Sequence, residues 1–281
     1  MEPFVIAIVL ASAVMHAIWN AVVKVGDDRL MSMAVAIGVT ALLAPLLLLV
    51  GPAPAPASWK FILLSALLNN AYFLFLIEAY RVGDLSHAYP LARGSAPLLV
   101  AVGSVAFAGE QLSVVELIGV GLVSGGIASL LFSADYGLRG GWRSIVYPLA
   151  TGVMIASYTV VDGIGVRLSG NPAAYIGWLF VFFAGPILLL AALRRRTQAI
   201  TFLRLSWKPA AIAGVLNFGS YGLAIWALSL GAMAHVSALR ETSVIIGAWI
   251  GTRVLGEPFG WQRVMSAAIV AAGVILINVG A

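Results

Sequence analysis

An all-α, polytopic membrane fold is what this sequence predicts: ten transmembrane helices arranged as two inverted five-helix repeats. Three observations lead there. Of the 281 residues, 62% are hydrophobic and 10% are charged. A soluble domain carries about 25% charged residues, so this chain has too little charge to cover a water-facing surface. Apolar runs of about 17–25 residues, the length that crosses a bilayer as a helix, recur almost end to end. The chain also repeats itself. Trp59-Lys60 returns as Trp207-Lys208, Asn69 as Asn217, Gly83 as Gly231 and His87 as His235, at a constant offset of 148 residues.

The first helix (3–25) opens with no basic segment and no cleavage site, so it reads as a span and not as a removed leader. The second (30–50) is rich in leucine and ends before Pro52, Pro54 and Pro56, which make a stiff extended turn. The third (59–80) starts at an interfacial tryptophan. The fourth (85–107) carries Pro90 and Pro97, each removing a backbone donor, so a kink is expected there. The fifth (113–132) holds Gly121 and Gly125 at small-xxx-small spacing, which lets helices approach closely. The sixth (142–166) echoes the first: Ala11, Val14, Met15, Ala17 and Gly26 align with Ala150, Val153, Met154, Ala156 and Gly165, with Tyr158 opposite Trp19. The seventh runs over 172–193. The eighth (208–230), ninth (233–255) and tenth (261–279) echo the third, fourth and fifth. Five spans per block, an odd number, force the second copy to enter the membrane upside down. The repeats divide as 1–137 and 138–281, one integral unit. The longest polar connections, 51–58, 134–141 and 194–206, are too short to fold alone.

With no cysteine and three histidines, the chain offers no disulfide, no thiolate chemistry and no metal-ligand cluster. A net charge of +5 does not point to nucleic acid; it comes from loop arginines, which anionic lipid headgroups favour. Lys and Arg gather on one side (Lys24, Arg29, Arg81, Arg139, Arg143, Arg194, Arg195, Arg196, Arg204, Lys208, Arg253 and Arg263), with Lys60 and Arg167 on the other. The positive-inside bias therefore places both termini outside.

The paired Gly109-Glu110 and Gly256-Glu257, each followed by a glycine-rich helix, together with the five-plus-five duplication, resemble the EamA-like drug/metabolite transporter superfamily. The resemblance covers essentially the whole chain. It implies a bacterial inner-membrane transporter of small solutes, with both termini inside, against the loop charges. It leaves the cargo open.

Polar groups within the spans are the functional candidates, because a charge at a helix centre costs about 2.5–3.5 kcal/mol on insertion scales. In the first helix His16 and Asn20 share a face at i, i+4, with Trp19 between them. In the fourth, His87, Tyr89 and Arg93 stand beside the prolines, and the arginine fork suits a carboxylate or phosphonate. The blander reading locks Arg93 to Glu78. In the ninth, His235 aligns with His87 and Glu241 with Arg93, so opposite charges occupy equivalent positions of inverted copies. Arg93 and Glu241 are expected to pair in one state and part in another, with Glu241 carrying a coupling proton. Arg240, next in sequence, is expected about 100° away. Asn69, Tyr72 and Glu78 in the third helix, Tyr158 in the sixth, and Asn217, Tyr221 and Trp226 in the eighth complete the candidate cavity. Asn69 and Asn217 also suit plain helix–helix bonding. Asp162 lies either in this cavity or at the interface.

These readings predict a secondary transporter that exports or exchanges a small polar or zwitterionic metabolite, such as an amino acid or related amine, by alternating access. The expected partners are that small-molecule substrate and the lipid bilayer, with proton or exchange coupling, as a monomer or weak homodimer, and with no cofactor. The alternative is a flippase of a lipid-linked carrier or headgroup. An enzyme needs a nucleophile–base set or metal cluster that the sequence does not offer, and no P-loop is present to couple ATP hydrolysis.

Overall fold

The computed structural model describes residues 1–25, 28–82, 85–129, 141–253 and 261–280. At 24, 29, 80–82, 85–90, 196–198, 200, 205, 248, 251–253 and 261–263 it describes the backbone alone. The described chain is helical: α1 (Pro3–Val25), α2 (Arg29–Leu48), α3 (Trp59–Val82), α4 (Leu85–Ala108), α5 (Val114–Ala128), α6 (Arg143–Leu168), α7 (Pro172–Arg194), α8 (Arg196–Leu205), α9 (Trp207–Leu230), α10 (Met233–Arg240), α11 (Thr242–Arg253) and α12 (Trp261–Val279). Seven of these, α1–α4, α6, α7 and α9, are long and apolar enough to cross a membrane. Two shorter apolar segments lie in α5 and α12. The outside is apolar as well: Leu42, Leu67, Phe107 and Leu189 are exposed. Lipid accepts such a surface and water does not, so this is a multi-pass membrane protein.

Local chemistry sets the helix starts. Asp28 caps α2 by accepting from Met31 N–H at 3.1 Å. Asn171 caps α7 ahead of Pro172. Ser113 and Glu116 form a reciprocal capping box at α5, satisfying two donors that the helix cannot. Gly109, with φ of 67°, turns the chain through the left-handed region after α4, where a Cβ would be strained.

Two expectations change. The ninth span is not one helix. It divides at Glu241, whose N–H bonds the Ala238 carbonyl at 3.1 Å while Val244 N–H bonds the Glu241 carbonyl at 2.9 Å, both three residues apart. No proline or glycine sits at this point. The hydroxyl of Thr242 donates to the Leu239 carbonyl at 2.8 Å, the kind of side-chain competition that bends helices. The fourth span, which carries the prolines, is assigned as one helix, α4. The connection at 194–206 is also not a loop. It contains α8, whose Ala199 and Phe202 pack on Met31, Ala34 and Ala191, while Arg195 pairs with Asp28 at 2.9 Å.

Helix neighbours repeat when the halves are exchanged. α3 lies on α6, and its counterpart α9 lies on α1; α4 lies on α6, and α10 and α11 lie on α1; α2 meets α9, and α7 meets α3. The pairs α2–α7, α5–α12 and α4–α10 map onto themselves. The main core fills the middle, with Tyr175, Leu179, Phe180, Phe183 and Ile225 buried. The outer pair α5–α12 closes through Gly119 and Gly273: a Cβ on Gly119 would stand 2.9 Å from the Gly273 carbonyl oxygen. The expected small-xxx-small pair, Gly121 and Gly125, meets nothing within 4 Å and does not make this contact.

Candidate functional site

Arg93 sits where α4 is clasped on two sides. A Cβ on the adjacent Gly94 would lie 3.1 Å from the Ser124 carbonyl oxygen of α5. A Cβ on Gly152 of α6 would lie 2.8 Å from the Ala92 carbonyl oxygen. Missing side chains thus let three backbones close up and aim Arg93 at the break between α10 and α11. Its Nη2 is 2.9 Å from Glu241 Oε1, with the two side chains 7% and 3% exposed. The same nitrogen donates to Ser243 Oγ at 3.4 Å. A pair this deep holds only when its geometry offsets the loss of hydration.

Arg93, Glu241, Arg240, Ser237, Thr159 and Ala224 line a small cavity between the halves. It holds on the order of one water molecule, so the centre is closed around its own charges. Arg240, a candidate from the sequence, reaches the cavity beside Glu241. The two neighbours line one cavity at the end of α10. The guanidinium carbon of Arg240 lies 5.8 Å from the Tyr221 ring centroid, within cation–π range. His16 of α1, buried and edge-on to Trp19 at 5.4 Å, is in electrostatic reach of Arg93 and Arg240.

Behind the cavity lies a carboxylate that sequence reasoning left undecided. Asp162 is 0% exposed. It accepts from Tyr221 Oη at 2.7 Å and from Tyr175 Oη at 3.0 Å, and it hydrogen-bonds Ser65. Asn69 Nδ2 donates to Tyr221 Oη at 3.0 Å and to Ser65 Oγ at 3.2 Å. Tyr158 stands edge-on to Tyr221 and to Tyr72. Four helices, α3, α6, α7 and α9, are thereby tied through one carboxylate. The available signal was the i, i+4 spacing of Tyr158 and Asp162, which places both on one face.

His235 lies 2.7 Å from Glu116, binding α10 to the start of α5. Glu110 reaches the first turn of α10, accepting from Met233 N–H at 3.0 Å, and pairs with Arg167 at 2.7 Å. Arg167 also donates to the Leu228 and Gly231 carbonyls. The Gly-Glu punctuation of the first half is therefore a turn plus a helix-capping carboxylate.

Other candidates stand apart from the cavity. Asn217 donates to Thr40 Oγ1 at 3.1 Å, joining α9 to α2. Asn20 bonds the His16 carbonyl of its own helix. Trp226 is 38% exposed and edge-on to Phe4; two residues beyond the cavity-lining Ala224, it points about 200° round the helix. Glu78 is half-buried. The side chains of His87 and Tyr89 lie outside the described residues.

A model of the EamA-like transporter family matches residues 3–132 and 142–279. No curated protein matches the chain. A solved structure described only as the crystal structure of a protein superposes with a TM-score of 0.76 at 14% sequence identity, covering 99% of this chain and 98% of that one. At that identity the likeness shows a common fold.

Proposed function

Because the chain belongs to the EamA-like transporter family, we propose that it is a secondary active exporter or exchanger of a small polar or zwitterionic metabolite, such as an amino acid or related amine, working by alternating access. The observation that carries this reading is the Arg93–Glu241 pair, which joins the halves across a nearly filled cavity. Intramembrane charges are retained at a cost and mark pathways. A solute larger than water enters only if the halves move apart, and the ion pair that lines the cavity is a contact that such a movement breaks and remakes. Proton binding to Glu241 would free Arg93 and supply the coupling. The reading contains no chemical step.

We place the protein, by its family likeness, in a bacterial inner membrane. The basic loops favour both termini outside and the family likeness favours both inside; activity of a C-terminal alkaline phosphatase fusion supports the first and its absence the second.

The transport test is counterflow in liposomes with the charge-swapped double variant R93E/E241R. We expect the swapped pair to restore the thermal stability lost in each single variant and to leave transport below a tenth of wild type. Wild-type transport by the swapped pair would reduce the contact to scaffolding.

A further inference from the structure

We infer that Arg240 is the anchor for an anionic group of the transported solute, a carboxylate in the first instance, and that Arg93 is not. The inference rests on the transporter reading above and adds to it which residue holds the solute and by which of its groups.

Two guanidinium groups and one carboxylate line the cavity. Arg93 has its carboxylate in Glu241. Arg240 has none: among the described residues it stands in no ion pair, and its Nε is buried without a hydrogen-bond partner. It is nevertheless 91% buried, from a relative exposure of 9%. An unpaired guanidinium at such depth is destabilising, and nothing in packing requires it, since the Tyr221 ring that it faces at 5.8 Å would accept an aliphatic side chain.

The remaining charged and titratable groups around Arg240 do not fill the vacant valence. Glu241 Oε1 is engaged by Arg93. Asp162 interacts with Arg240 at longer range, but its two oxygens already accept from Tyr175 and Tyr221. His16 adds no negative charge. Tyr158 is a further phenol in reach. The cavity lining thus carries one positive charge in excess, on a side chain with a planar donor fork that matches a carboxylate. Ser237, one turn before Arg240 and on the same wall, offers a hydroxyl to the same anion. Glu241 Oε2, buried with no hydrogen-bond partner, is positioned beside it for an ammonium group, so a zwitterion would span the adjacent pair.

The test uses the purified full-length protein and a panel of amino acids, each with its amide and its decarboxylated amine. Thermal unfolding gives binding, and liposome counterflow gives transport. We expect acids to raise the midpoint of the wild type and the matched amides and amines to do so at least tenfold more weakly. R240Q should lose the preference for acids over amides, and R240K, which keeps the charge without the fork, should retain part of it. The conservative R240K also guards against a folding defect in R240Q. Acids and amides binding wild type alike, or R240Q preferring acids as wild type does, would overturn the anchor and leave the transporter reading standing. If no panel member binds or is transported by wild type, both fall together.

Discussion

Arg93 Nη2 and Glu241 Oε1 lie 2.9 Å apart at equivalent positions of the two halves. A repeat that places an arginine in one copy and a glutamate in the other converts its own symmetry axis into an ion pair. The bond is therefore a property of the duplicated arrangement and not of either half.

Removing one partner should cost far more than removing both. R93A and E241A each leave a buried charge, for which about 3–5 kcal/mol is the expected loss. R93M/E241L should come within about 1 kcal/mol of wild type or exceed it, because well-packed apolar replacements of buried pairs are neutral or stabilising. Thermal unfolding in detergent measures this. A double variant as unstable as the sum of the singles would contradict it.

Tyr221 joins Asn69, Asp162 and Arg240, so its hydroxyl and its ring are separable. Y221F keeps the ring against Arg240 and removes one of the donors to Asp162, which should destabilise by about 1–3 kcal/mol. D162N in the same background removes the charge that has lost that donor and should recover part of that loss. Additive losses in Y221F/D162N would show that the two do not share one network.

Two nearby glycines of α5 should respond with opposite sign to alanine. Gly119→Ala forces a Cβ against the Gly273 carbonyl and the Ile277 side chain, for about 1–3 kcal/mol of overpacking. Gly121→Ala meets open space and should stabilise by up to about 1 kcal/mol through helix propensity. Equal effects in unfolding measurements would remove the close α5–α12 contact.

The class of fold was legible because the bilayer imposes it: charge is scarce, runs are long, and the duplicated offset ties one half to the other. That same offset put Arg93 opposite Glu241, which the coordinates bring into contact. What stayed hidden depends on local geometry that periodicity does not carry. Arithmetic at 100° per residue separates Arg240 from Glu241 at the backbone, but a side chain as long as arginine still reaches the cavity that Glu241 lines. The break in the ninth span has only a threonine hydroxyl to announce it. Asp162 was left between cavity and interface since a span boundary is uncertain by several residues, and depth decides which it is. Gly121 and Gly125 fitted a spacing rule, but the face that packs is the one bearing Gly119 and Gly126.

Glu110 has a consequence for motion. Its carboxylate leaves the first half at the Gly109 turn and grips both the backbone start of α10 and the Arg167 side chain, two parts of the second half. It works as a hasp across the seam at the rim that bears the chain termini. Under the alternating-access proposal, opening toward that rim would first require this contact to break. The strength of that contact would then set how long the centre faces the opposite compartment.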